Sequence, residues 1–145
     1  MKPEIKMAVI GGVAGTLVMT MMMMFVAPMM TGMPMDIAAM LGGMLGGYTM
    51  GMIAHLMMGI IVFPLAYALV AYGFLPGSAL VKGLTFGVVL WVLAATMVMP
   101  MAGGGFLMSN IGGMMALVAS LMGHLVYGGL LGAIAGEGSA DHVAA

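Results

Sequence analysis

Four apolar stretches, at about 7–30, 48–72, 81–100 and 113–135, take up most of this chain, and none of the segments between them is long enough to fold alone. Roughly 20 apolar residues are what an α-helix needs to cross the hydrocarbon of a bilayer. In lipid every backbone polar group must be satisfied within its own segment, so these stretches are expected to be helices. With 64% hydrophobic and only 5% charged residues, the chain lacks the polar surface of a soluble domain. The expected fold class is all-α: a polytopic membrane protein with four transmembrane helices in an up-down bundle, one membrane domain over 1–145. A cleaved signal peptide is the competing reading of the first stretch. That stretch is too long for the apolar region of such a peptide, and no clear A-x-A site follows it.

The sequence repeats internally. Gly11, Gly15, Pro28 and Met29 recur as Gly83, Gly87, Pro100 and Met101, at a constant offset of 72. After small gaps, Leu41-Gly42-Gly43-Met44 matches Ile111-Gly112-Gly113-Met114, and His55-Leu56 with Gly59 matches His124-Leu125 with Gly128. The repeat units, about 7–72 and 81–136, are two helical hairpins. Each holds two spans, so both copies have the same orientation and their symmetry axis should follow the membrane normal. Gly11-x-x-x-Gly15 and Gly83-x-x-x-Gly87 are small-residue pairs of the kind that let helices approach closely in lipid.

Lys2, Lys6 and Lys82 fall on one side if each stretch crosses once, which predicts cytoplasmic termini in a bacterial inner (cytoplasmic) membrane. The 29–48 and 101–112 connections then lie outside, and Gly73 to Ser78 form a tight inner turn. Asp36 before Ile37-Ala38-Ala39-Met40-Leu41, followed by Gly42-Gly43, predicts a capped, short interfacial helix with a glycine stop. Trp91 falls mid-span as a packing residue, whereas Tyr48, Tyr67 and Tyr72 are expected near the interfaces. The tail from Gly136, with Glu137, Asp141 and His142, is expected to fray. A net charge of −1 offers no basic patch, so nucleic acid is set aside as a partner. The absence of cysteine removes disulfides, thiolate metal sites and covalently attached haem.

His55 and His124 are the ionisable side chains well inside the expected hydrocarbon, where such groups are costly enough to mark site candidates. They are equivalent in the two repeats, and spans two and four are diagonal in a sequential bundle, so both imidazoles can face a shared axis. Three readings follow. Each histidine is neutral and serves packing alone, with nothing bound. Alternatively they join methionines in holding copper(I), since thioether and imidazole suit that ion. Or they are the axial ligands of a b-type haem. Methionine, at 24 residues, is the anomaly of composition. Met29, Met33 and Met35 lie at the outer end of span one, and Met97, Met99 and Met101 at the outer end of span three. Thioethers need no deprotonation to bind a metal. Met21-Met22-Met23-Met24, however, covers every face of a helix, so some of these side chains must meet lipid or a neighbour. Asp36 has no second carboxylate near it in sequence, and Ser120 with His124 lacks the acid of a triad.

Gly15-Thr16 with Met19-Thr20, Met33-Pro34-Met35-Asp36-Ile37 before a glycine pair, His55, and Gly123-His124-Leu125-Val126-Tyr127-Gly128 together resemble a family of small four-span bacterial integral membrane proteins catalogued as a domain of unknown function. The resemblance covers most of the chain and implies the four-span topology and the importance of both histidines. It implies no activity. The expectation is a non-enzymatic membrane protein that binds or transfers copper(I) through His55, His124, Met29, Met33, Met35, Met97, Met99 and Met101. The alternatives are a structural accessory subunit of a larger respiratory or metalloenzyme complex and the haem-binding bundle. In every case the partners expected are the lipid bilayer and either other transmembrane subunits or further copies of the chain.

Overall fold

Each apolar stretch is one long helix in the computed structural model, which describes residues 2–136. Helix α1 spans Ile5–Thr31, α2 Ile37–Leu45, α3 Tyr48–Phe74, α4 Ala79–Met101 and α5 Gly113–Ala135. Helices α1, α3, α4 and α5 are each long and apolar enough to cross a membrane, and the described residues contain no strand. The polar tail with Glu137, Asp141 and His142 lies outside the described residues.

Helix α5 packs against α4 on one side and α1 on the other; α1 also packs against α3, and α3 meets α4 near the turn that joins them. The result is a ring in which consecutive spans are neighbours and α3 lies diagonally opposite α5. Small residues set how close the helices come. A Cβ on Gly83 would overlap the Gly128 carbonyl oxygen, and one on Gly87 the His124 carbonyl oxygen. Gly11 and Gly15 lie against Leu131 and Tyr127 of the same helix α5. Both repeated glycine pairs therefore lean on one helix, and the twofold relation between the hairpins is broken at that seam. Leu17, Phe25, Ile61, Val70, Val89 and Val92 are exposed, as side chains that meet lipid should be.

Prolines shape three of the four spans. Pro28, Pro64 and Pro100 each follow a turn widened to i→i+5 hydrogen bonding, over 22–26, 58–62 and 94–98. A proline in a helix lacks an N–H and collides with the carbonyl one turn back, and a widened turn relieves that collision. At two of these sites the carbonyl left over is claimed by another element. Met23 O accepts the backbone N–H of Met35 at 3.0 Å, and Gly59 O accepts the Tyr127 hydroxyl at 2.7 Å. A fourth widened turn, over 67–71, has no proline, and nothing in the structure explains it.

At the loop end of the bundle, the Asp36 side chain caps α2 by accepting the Ala39 N–H at 2.9 Å. The helix does not stop at Gly42-Gly43, as the sequence suggests. It continues to Leu45 and ends where Gly46 takes a left-handed conformation, φ 90°. The reason is contact: α2 lies on α3, with Gly42 packed on Gly47 and Tyr48, and Gly51 under the Ala38 carbonyl, so close approach is what these glycines serve. The second loop is a glycine-rich turn in which Leu107 and Met108 are left-handed, at φ 52° and 61°, and Met108 is buried. At the opposite, terminal end, Tyr67 and Tyr72 turn inward instead of facing a lipid interface. Tyr67 stacks edge-on with Tyr72 and tilted against Phe86, while Lys82 Nζ lies 3.9 Å from the Tyr72 ring centre and donates to Tyr72 O at 2.9 Å. Lys2 Nζ reaches Leu69 O at 3.4 Å, which puts it at this end as well.

Candidate functional site

The four long helices enclose a cavity of about 180 Å³ whose walls include both His55 and His124. A cavity inside an otherwise close-packed bundle requires a cause, and here it lies in the wide turns and the small residues facing it. Gly59, inside the widened turn before Pro64, lines the cavity, and a Cβ there would strike Thr16 Oγ1.

Two short polar chains run through and behind this wall. Thr20 on α1 donates its hydroxyl to the Thr16 carbonyl one turn back, at 2.7 Å. Its one proton is thereby committed, so the hydroxyl oxygen accepts from His55 Nε2–H across the α1–α3 contact, at 2.9 Å. In its neutral form His55 is therefore the Nε2–H tautomer, with its lone pair on Nδ1. On α5, His124 Nδ1 lies 2.8 Å from the Ser120 carbonyl oxygen, which can only accept, so Nδ1 carries a proton and, in the neutral ring, Nε2 the lone pair. The Ser120 hydroxyl is 3.4 Å from the same Nδ1. Each imidazole is thus oriented by one ring nitrogen and presents the other as an acceptor. Thr16 is 2% exposed, and its Oγ1 is the buried side-chain polar atom without a partner among the described residues.

Sulfur supplies most of the remaining lining. Met19 and Met23 come from α1, Met35 and Met40 from the first loop and α2, Met58 from α3, Met99 from α4 and Met108 from the second loop. Of the residues the sequence singles out, the structure brings His55, His124, Met35 and Met99 to this one cavity. Met29, Met33, Met97 and Met101 are not part of it: they stand on the outside of the loop end at 86%, 59%, 57% and 69% exposure. Of the four consecutive methionines, Met23 is buried and faces the cavity while Met21 is exposed. Trp91, taken from sequence as a packing residue, also donates its indole N–H to Leu117 O at 3.1 Å.

Sequence reasoning gave no site role to Met23, Met40 and Met108, and met Thr16, Met19, Thr20 and Tyr127 only as residues that carry the family resemblance; Met58 it placed beside His55. A further signal was position: Thr16, Met19, Thr20 and Met23 recur at three- and four-residue steps on one helical face. Among the described residues, no group of three His, Cys, Asp or Glu side chains comes together, so the donor set for a hard or borderline metal is not assembled here. The donors that do converge are thioethers, neutral imidazoles and hydroxyls.

A family model described as a family of unknown function, DUF6789, matches residues 3–142. No curated protein and no solved structure matches the chain.

Proposed function

We propose, for this chain, which belongs to the DUF6789 family of unknown function, that it holds a single Cu(I) ion inside the membrane and hands it on without chemical conversion. The observation that carries the reading is the shared cavity, in which two oriented neutral imidazoles meet a wall of thioethers. A metal-bound histidine ordinarily donates its other ring N–H to a protein acceptor, which fixes the tautomer and raises the basicity of the ligating nitrogen. Thr20 and the Ser120 carbonyl do this for His55 and His124. Soft thioethers with imidazole suit Cu(I), and neither ligand type needs to lose a proton from its neutral form. The apolar surroundings also favour a monovalent ion over a divalent one, because the cost of desolvation rises steeply with charge.

Size favours an ion over haem. The cavity of about 180 Å³ is below the ~300–1,000 Å³ of sites that enclose drug-sized molecules. The second reading is an accessory subunit, favoured by the breadth of exposed apolar surface on α1, α3 and α4. On either reading the partners are lipid and other transmembrane helices, from another subunit or another copy. We place the chain in a bacterial cytoplasmic membrane with both termini inside, because Lys2 and Lys82 share the terminal end.

The test is elemental analysis and an absorption spectrum of protein purified natively in mild detergent, with a Cu(I) titration under anaerobic conditions. Near-stoichiometric copper is expected, lost in the His55→Ala/His124→Ala double variant. Retention of the metal in that variant would remove both histidines from the site. A Soret band would replace copper with haem, and neither signal together with a stoichiometric membrane partner would make the chain an accessory subunit.

A further inference from the structure

A second, smaller cavity of about 70 Å³ adjoins the first at the loop end, and His55 is part of both walls. Its lining includes Thr20, Met24, Asp36, Tyr48, Met52 and His55. Met23, Met35 and Ile37 also border both cavities, so the two spaces share part of one wall. The outer wall carries Tyr48, which opens α3 and is 54% exposed, and Asp36, which caps α2 and is half-buried.

Charge makes this side cavity directional. Among the described residues the acids are Glu4 and Asp36, and Glu4 precedes α1 at the terminal end, so Asp36 is the acid of the loop end. The three lysines belong to the terminal half: Lys2 and Lys82 are hydrogen-bonded there, and Lys6 lies in the first turns of α1. One Asp36 carboxylate oxygen accepts the Ala39 N–H, and no lysine of the described residues neutralises the charge. A lone carboxylate at the mouth of a cleft with low-dielectric walls raises the local concentration of cations and their rate of entry.

We propose that the side cavity is the inlet of the central site: a soft monovalent cation arrives at the loop end, Asp36 draws it in, and it passes His55 to reach the central cavity. The identity of the cation rests on the Cu(I) reading above; the access of solutes to His55 does not. Met24, Met35 and Met52 border this space, and their flexible thioethers can shift to widen it. Asp36 is a capturing residue at the mouth, and His55 serves both spaces.

Two measurements on the full chain in lipid nanodiscs separate these parts. The first is acylation of His55 by diethyl pyrocarbonate, followed by peptide-resolved mass spectrometry. His55 is expected to react, and Met52→Trp or Met24→Trp, filling the inlet from opposite walls, should slow it at least ~10-fold. No reaction in the parent chain, or undiminished reaction in both folded variants, overturns the inlet. The second is the rate of loading with Cu(I) supplied as its acetonitrile complex. Asp36→Asn keeps the α2 cap, because Asn caps as well as Asp. It should leave the final Cu(I) content unchanged, slow loading ~10-fold and flatten the dependence on salt. An unchanged rate overturns the role of Asp36. A parent chain that binds no Cu(I) yet shows His55 acylation blocked by the tryptophans upholds the inlet and sinks the Cu(I) reading alone.

Discussion

Thr20 makes one hydroxyl do two things, giving its proton to its own helix and its lone pair to a histidine on the next. Thr20→Val keeps the shape and removes both. His55 Nε2–H then has no acceptor in an apolar wall, a loss of about 1–3 kcal/mol. If the site binds metal, affinity for Cu(I) should also fall ~10–100-fold, as it does when a ligand's outer partner is removed. Thermal unfolding in detergent and a competitive Cu(I) titration read the two effects separately, and Thr20→Ser should restore both. A drop in stability with unchanged affinity would confine Thr20 to folding. The histidines were legible in the sequence because an ionisable group in hydrocarbon is costly enough to stand out. The threonines were not. Thr20, Thr31, Thr85 and Thr96 all bond the carbonyl one turn back, so nothing local distinguishes the one that faces a histidine. The rotation of α1 decides that, and rotation follows from packing.

Among the elements, the widened turns convert a defect into a tether. Pro64 removes a donor from α3, and the carbonyl of Gly59 that this leaves is taken by Tyr127 of the diagonally opposite helix α5. A double-mutant cycle tests the dependence. Tyr127→Phe alone should cost about 0.5–1.5 kcal/mol, the range for such a bond in a membrane bundle. In a Pro64→Ala background, where residue 64 regains an N–H able to reach the freed carbonyl, the same change should cost close to nothing. Equal costs in both backgrounds would show that the hydroxyl bond to Gly59 O does not depend on the proline, since Phe keeps the edge-on ring contact with Phe63. The four spans, the repeat and the Asp36 cap could all be read from the sequence, because apolar length and end-capping residues are local signals. The true end of α2 could not, since Gly42 and Gly43 look like a stop and are instead a surface for α3.

For the molecule as a whole, the two loops share one end and the lysines Lys2 and Lys82 the other. The proposed orientation predicts that Met33→Cys and Leu107→Cys react with a membrane-impermeant thiol reagent in intact cells, and that Ser78→Cys reacts only after lysis. The reverse pattern would turn the protein over and place the inlet on the cytoplasmic side. That both histidines meet one cavity was readable from the repeat and from the diagonal placement of spans two and four. Which methionines join them was not, because each outer cluster is split, Met35 and Met99 turning in and Met29, Met33, Met97 and Met101 out, while the inner ones are spaced singly along several elements. The seam of glycines on α5 bears on how the protein is made. Gly11 and Gly15 find their packing surface on the last of the four spans to be synthesised, with more than 95 residues between Gly15 and the start of α5. The first hairpin therefore leaves the insertion machinery with the α5-facing side of α1 still bare. Chains halted before residue 113 should therefore be degraded faster than chains that include α5, as a pulse-chase comparison would show.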